Sequence, residues 1–172
     1  MKKKHKAKFG PLGIVIGVLL IALVAYVATN KNVNQMSTNT AQEQTKTFQS
    51  KSLKLSLKIP NAWQVDQGMT FVNIISDQGK VNISRIATNF NDLSSYLTDF
   101  DSKRKIAVVS ETNLNIEKFN AVDRVEKFNG GPISQQKVYF IYVEGWIYSL
   151  STSSDFLFND LDQIAGSFRY TP

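Results

Sequence analysis

The residues that could carry chemistry are few in this sequence, and their types exclude several common mechanisms. The only histidine is His5, close to the amino terminus, and the chain has no cysteine. A Ser-His-Asp triad, a histidine-bound zinc ion and a thiol nucleophile each need one of these residue types in the folded domain. We therefore predict no catalytic, cofactor-binding or metal-binding residue, and we predict that the protein is not an enzyme.

Two pairs of carboxylates could act together if their geometry allowed it. Asp99 and Asp101 lie in one predicted helix, and Asp160 and Asp162 lie in another. Residues two apart on a helix point in different directions, whereas surface neighbours are three or four apart. We interpret both pairs as parts of solvated helix faces.

Two groups of side chains are candidates for a surface that binds a ligand or a partner. Trp146 and Tyr148 belong to an aromatic-rich segment and could form the rim of a pocket, although aromatic residues of a sheet covered on both faces usually pack in the core. Lys103, Arg104 and Lys105 follow a predicted helix and could meet an anionic partner. Cations at this end of a helix also interact favourably with the helix dipole without any partner.

The amino-terminal segment is a candidate membrane anchor. Five lysines precede the stretch from Phe9 to Ala28, which contains no charged residue. As a helix, these 20 residues would extend roughly 30 Å, the thickness of the hydrocarbon layer. A cleaved signal peptide is the alternative, but it has a shorter apolar region and small residues before the cut, where this chain has Leu23 or Tyr26. We predict one transmembrane helix over residues 9–29.

The charge distribution predicts the orientation of this anchor and excludes one class of partner. Residues 1–8 form a basic tail that should stay in the cytoplasm, so the chain after the span should be extracytoplasmic. We expect a single-pass protein of the cell membrane, of bacterial type. The net charge is +6, from 20 basic and 14 acidic residues; without the five tail lysines it is 15 − 14 = +1. A nearly neutral domain predicts no nucleic-acid partner.

The amino-terminal region has two further features, a GxxxG pair in the predicted span and a polar segment after it. Gly13 and Gly17 form a GxxxG pair that could let two spans approach in the bilayer, which would give a weak homodimer. Residues 30–47 are rich in Asn, Gln, Ser and Thr and have no aromatic residue, so we predict a flexible polar linker. The globular domain should then cover residues 48–172.

The domain begins with alternating apolar and polar residues and continues as paired strands. The period of two from Leu53 to Ile59 predicts a strand that ends at Pro60, and the segments 69–76 and 80–87 predict a hairpin. Two strands, 108–119 and 121–128, should flank a turn at Asn120. The best hairpin signal surrounds Glu144 and Gly145, since glycine suits the positive φ of a two-residue turn.

Two helices are predicted, one before these later strands in the sequence and one after them. The first should be capped by Asn91 and the second by Ser154. The segment Val138 to Val143 is apolar or aromatic at every position, which indicates a strand covered on both faces. We therefore predict an α+β fold in which an antiparallel β-sheet is flanked by helices on both faces.

The order of these elements resembles that of the PsbP-like and Mog-like superfamily over residues 48–170. The segments that carry the resemblance are "IPNAW", "VEGWIYSL" and "FLFNDLDQIAGSF". The resemblance implies an α/β/α sandwich with a binding or assembly role, and members include accessory subunits of photosystem II and a factor that binds a small GTPase. Because the domain has no histidine, no metal or ion function is carried over.

The sequence leaves more than one function open. The leading hypothesis is a membrane-anchored extracytoplasmic module that binds an unknown protein or small ligand, without a cofactor. A pilin-like structural subunit also begins with a basic leader and an apolar helix, but the glutamate of such helices is missing from "PLGIVI" after Gly10. A small-ligand-binding domain with an aromatic-lined pocket is the other alternative.

Overall fold

The computed structural model describes residues 44–104, 106–128 and 135–172 of the chain. The predicted tail, anchor and most of the linker lie outside the described residues, and so do Gly13, Gly17 and Lys105. Among the helices of the described ranges, none has the length and apolar character needed to span a membrane.

The chain first forms a small antiparallel sheet of three strands. They are β1 (Thr45–Ser50), β2 (Leu55–Pro60) and the carboxyl-terminal β10 (Arg169–Tyr170), in the order β1-β2-β10. β1 begins at Thr45, within the predicted linker, because Thr45 pairs with Pro60 across the sheet. Leu55, Leu57 and Ile59 of β2 are fully or almost fully buried, as their alternation predicts.

The remaining strands form a seven-stranded antiparallel sheet with the order β3-β4-β5-β9-β8-β7-β6. Their bounds are β3 Gln64–Gln67, β4 Phe71–Ser76, β5 Gly79–Ala87, β6 Ile106–Ile116, β7 Phe119–Phe128, β8 Gln135–Val143 and β9 Trp146–Thr152. The long hairpin β8–β9 lies in the middle of this sheet. The two edges are β3 and β6, and β6 is the longest of the described strands.

The hairpin turns contain residues whose backbone φ is positive. The β8–β9 hairpin turns at Glu144 (φ 48°) and Gly145 (φ 80°), as predicted from the sequence. The predicted β4–β5 hairpin is also confirmed. The β6–β7 turn lies at Glu117 and Lys118 rather than at Asn120, because Asn120 is already paired with Asn115 in the ladder.

Two short α-helices accompany the sheets. α1 covers Leu93–Ser102 and α2 covers Phe158–Gly166, preceded by a 3₁₀ turn at Asp155–Leu157. Asp92, not the predicted Asn91, caps α1, since its carboxylate accepts hydrogen bonds from the Ser95 backbone N–H and hydroxyl. The Ser154 hydroxyl does not cap the last helix but donates to the carbonyl of Gln78 at 2.8 Å.

The apolar residues of β8 are buried on both faces of the large sheet, as the sequence predicts. Even-numbered residues such as Val138 and Phe140 pack with α1. Odd-numbered residues such as Tyr139 and Ile141 belong to the larger core cluster, which includes β2 and α2.

The predicted α/β/α sandwich, with helices on both faces of one sheet, is wrong as a description of the described residues, whereas the predicted transmembrane helix lies outside them. The described residues are mostly β-strand, and they form two sheets with only two short helices. The small sheet takes the place of much of the expected helical layer, because β2 presents Leu55, Leu57 and Ile59 to the core. β1 was not predicted from the sequence, because its residues are mostly polar and show no alternation.

Candidate functional site

A groove of about 610 Å³ lies between α1 and the hairpin β6–β7, and we refer to it as the α1 groove. Nine of its fourteen lining residues are polar or charged, and the other five are apolar. It is lined by Asp92, Leu93, Ser94, Leu97, Thr98, Asp101, Glu111, Asn113, Leu114, Asn115, Asn120, Ala121, Val122 and Arg124. The α1 groove is therefore a place where a polar group of another molecule could be received.

Arg124 is the central charge of the α1 groove. It lies on β7, two residues after the buried Val122, so both side chains point toward α1. Its guanidinium donates to both carboxylate oxygens of Asp101, at 2.7 and 2.9 Å, and Nε donates to Glu111 at 2.7 Å. Only 5% of the Arg124 side chain is exposed. Arg124, which lies on β7, thus links α1 to β6.

Glu126 extends this ion-pair network below the surface. Its side chain is 0% exposed and lies on the same face of β7 as Arg124. Arg104 approaches Oε2 at 3.3 Å, and the Gln136 amide donates to the same oxygen at 2.8 Å. Oε1 has no hydrogen-bond partner among the described residues, and its nearest cation is Arg124 at 3.8 Å.

The balance of charges makes the network slightly anionic. Three carboxylates (Asp101, Glu111 and Glu126) face two guanidiniums (Arg104 and Arg124), which leaves 3 − 2 = 1 excess negative charge. Burial works against the charge of Arg124, but the hydrogen bonds from Asp101 and Glu111 outweigh it and raise the pKa of Arg124. Three carboxylates (Asp92, Asp101 and Glu111) and one guanidinium (Arg124) line the α1 groove itself, so the groove favours a cation or a hydrogen-bond donor.

The candidate residues Trp146 and Tyr148 do not line the α1 groove. Tyr148 is fully buried, and its hydroxyl donates to the carbonyl of Leu53 at 2.7 Å. Trp146 is half-buried beneath the guanidinium of Arg85, which lies 4.2 Å from the ring centroid. Tyr148 is thus a core residue, and Trp146 is already covered by a cation of its own chain.

The basic candidates at the end of α1 have different surroundings. Lys103 is exposed and pairs with Asp99 at 2.6 Å, one helical turn earlier. Arg104 packs over the ring of Phe100 at 4.3 Å and turns toward Glu126. Lys105 lies outside the described residues. The two cations that are described therefore contact side chains of their own domain.

The sequence analysis missed the residues that build the α1 groove. The available signal was the spacing of Arg124 and Glu126, which places opposite charges on the same strand face as the apolar Val122. Asp101 was interpreted as part of a solvated face, but it binds Arg124. A charge on the buried face of a strand usually has a partner on the element that covers it.

A second polar cluster lies where α2 meets the large sheet. Lys137 pairs with Asp162 at 2.5 Å and with Asp123 at 3.5 Å, and the Tyr139 hydroxyl donates to Asp162 at 2.7 Å. Burial, reinforced by the bond to Asp162, raises the pKa of Tyr139. Burial likewise raises the pKa of Asp123, whose Oδ1 has no hydrogen-bond partner among the described residues.

Replacing Asp123 by Asn should change the pH dependence of stability. A carboxyl whose pKa is raised in the folded state favours folding below its ordinary pKa of 3.8, and this contribution is lost as pH rises through the raised pKa. We expect wild type to lose stability relative to Asp123→Asn from acid to neutral pH, measured by urea unfolding at several pH values.

Asp92 provides a contrast for this experiment. Hydrogen bonds from the backbone and side chain of Ser95 lower its pKa, so its contribution is present above 3.8 and is lost as pH falls through the lowered pKa. Asp92→Asn should therefore give a difference of opposite sign. Equal pH profiles for wild type and Asp123→Asn would contradict the expectation for Asp123.

The described residues contain no group of three or more His, Cys, Asp or Glu side chains placed to hold a metal ion. The acidic residues of the α1 groove are instead neutralised in part by Arg124. The α1 groove therefore presents carboxylates that Arg124 holds in place, which can accept hydrogen bonds, next to the neutral amides of its asparagines.

Comparison with known proteins identifies the fold. No protein-family model matches the chain, and no curated protein matches it. The solution structure of cyanobacterial PsbP (CyanoP) from Synechocystis superposes with a TM-score of 0.54, covering 74% of this chain and 93% of that chain at 8% identity. The domain has a PsbP-like fold.

The PsbP-like fold is the extent of what this likeness shows, because 8% identity carries no residue from one chain to the other. A Pseudomonas aeruginosa protein of unknown function also aligns, with a TM-score of 0.38 and 18% identity over 63% of this chain and 83% of that chain. The function must therefore be argued from the side chains of this PsbP-like domain itself.

Proposed function

We propose that this protein is a membrane-tethered, extracytoplasmic binding or assembly module, and that its α1 groove receives a cationic or hydrogen-bond-donating group of its partner. The observation that carries the proposal is the fixed position of the groove carboxylates. Asp101 and Glu111 are held by Arg124, so little side-chain entropy is lost when a partner binds. Binding rather than catalysis is also favoured by the absence of histidine and cysteine from residues 48–172.

The walls of the α1 groove are suited to a polar partner. Asn113, Asn115 and Asn120 each carry an amide that can donate and accept hydrogen bonds. Glu111 is 38% exposed, so its carboxylate is open to a partner while it contacts Arg124. A basic side chain of an extended peptide would match this combination of amides and carboxylates.

A photo-crosslinking amino acid placed in the α1 groove tests the binding role in the native cell. We expect a crosslinked product when it replaces Thr98, which lines the groove, and none when it replaces Asn61, an exposed residue outside it. Adding Glu111→Gln to the Thr98 variant should reduce the product, since it removes an acceptor charge. The same products at both positions, or none at Thr98, would reject the groove as the binding site.

The proposed location rests on the amino-terminal sequence. An uncharged segment flanked by lysines on one side favours insertion with the amino terminus in the cytoplasm. The intact chain should remain with membranes in high salt and enter solution with detergent, whereas a chain lacking residues 9–29 should be recovered without detergent. Recovery of the intact chain in the aqueous fraction would refute the tether but not the α1 groove.

A further inference from the structure

We propose that two copies of this chain associate through β6, edge to edge and antiparallel, so that their large sheets join into one. This inference does not depend on the proposed partner of the α1 groove. It rests on the length, the exposure and the residue types of β6.

β6 has one free edge in the part of the chain that the structure describes. It covers 11 residues and pairs with β7 on one side, and no described strand pairs with it on the other. Residues 107–113 are exposed without interruption. An unpaired edge presents a row of backbone N–H and C=O groups that can pair with another strand.

The residues of β6 do little to prevent such pairing. Natural edge strands are commonly protected by lysine, by proline, by shortness or by a β-bulge, and the register shift of β6 is confined to Val108–Ser110, near its amino-terminal end. The other edges fit this rule, since β3 has four residues, β10 has two and β1 carries Lys46. β6 contains neither lysine nor proline, and its one charge, Glu111, is already paired with Arg124.

The irregular part of β6 defines where a second copy fits. The register with β7 shifts between Val108 and Ser110, which marks a β-bulge at Val109. The segment from Ser110 to Ile116 is regular. An antiparallel pair of identical strands has a twofold axis, and centring it on Asn113 uses the whole regular segment of both copies.

This register also matches the side chains across the axis. Glu111 then lies opposite Asn115 of the second copy, where the amide can donate to the carboxylate, and Thr112 lies opposite Leu114 of the second copy. Centring on Glu111 instead would oppose two like charges. Because Glu111, Asn113 and Asn115 line the α1 groove, pairing would bring the two grooves together along one continuous sheet.

A second copy is the occupant we infer because the strand is complementary to itself. An isologous contact needs one surface that fits its own copy under a twofold rotation, and β6 meets this condition without opposing charges. The exposed Val108 and Val109 lie beside the paired segment and would lose water contact in the dimer.

Single cysteines test the register directly, since the natural chain contains none. Opposed residues of antiparallel strands have Cα atoms about 4.5–5.5 Å apart, within the range of a disulfide. In membranes, Asn113→Cys should form a covalent dimer under mild oxidation much faster than Thr112→Cys, which is not self-opposed. A mixture of Glu111→Cys and Asn115→Cys chains should crosslink better than either alone.

Charge substitution at the axis provides a second, independent measurement. Two differently tagged copies with Asn113→Lys should co-purify less than wild type, by up to about fivefold, because like charges meet at the axis. Mixing Asn113→Lys with Asn113→Glu chains should restore the association. Misfolded variants would not be rescued in this way.

Two results would overturn the inference. One is an Asn113→Cys dimer that forms no faster than the Thr112→Cys dimer. The other is co-purification that is equal for matched and mixed charges. An association that arises only from residues 9–29 would produce both results, so the experiment separates the two sources of dimerisation.

Discussion

Arg124→Ala should lower the free energy of unfolding by about 3–5 kcal/mol, the usual loss when one partner of a buried ion pair is removed. The substitution leaves Glu126 without its neighbouring cation on β7 and frees both Asp101 and Glu111. It also unlinks α1 from the β6–β7 hairpin. Urea unfolding of the purified chain at neutral pH measures the change.

Two variants serve as controls for Arg124→Ala. Arg169→Ala removes a 53% exposed arginine that pairs with Glu117, and it should cost less than about 1 kcal/mol. Combining Arg124→Met with Glu126→Met removes both buried charges and should recover part of the lost stability. If Arg124→Ala were no more harmful than Arg169→Ala, the network would not hold α1 in place.

Phe168→Ala should also cost about 3–5 kcal/mol, because it leaves a cavity at a fully buried aromatic position. Phe168 lies between α2 and β10, and its ring packs edge-on against Tyr148 with centroids 5.1 Å apart. Both rings belong to the larger core cluster, which joins the small sheet to the large one. Thermal unfolding of the variant should show a clear decrease in midpoint.

Phe156→Ala is the matched control for this substitution. Phe156 lies in the 3₁₀ turn before α2 and is 80% exposed, so the same change in side-chain size leaves no cavity. We expect a change within about 0.5 kcal/mol. A similar loss for both phenylalanines would mean that burial does not decide the effect.

Local patterns in the sequence were sufficient for the elements with strong alternation or turn chemistry. Leu55, Leu57 and Ile59 indicated β2, and Gly145 indicated the central hairpin, because period and positive φ are properties of a few neighbouring residues. β1 was missed because its residues are mostly polar and exposed. Its place depends on pairing with β2, which no pattern within β1 records.

The contacts of the α1 groove were even harder to predict from local sequence patterns than the pairing of β1. Arg124 of β7 meets Asp101 of α1 and Glu111 of β6, so their contact depends on how those elements pack. The spacing of Arg124 and Glu126 could have suggested a buried charge, but it could not name Asp101 as the partner. The aromatic candidates had the reverse outcome, since Tyr148 was a candidate for a binding surface but lies in the core, where aromatic residues of a covered sheet usually pack.

The sequence by itself determined the polarity of the chain along its length: an uncharged amino-terminal segment behind lysines, a polar stretch, and a strand-rich domain without histidine or cysteine. Only the tertiary structure decided that two sheets share the core, that three charged side chains converge in the α1 groove, and that β6 is left at an edge. Periodicity and composition are local quantities, whereas strand order and ion pairing arise when residues far apart in the chain are brought together to bury apolar surface.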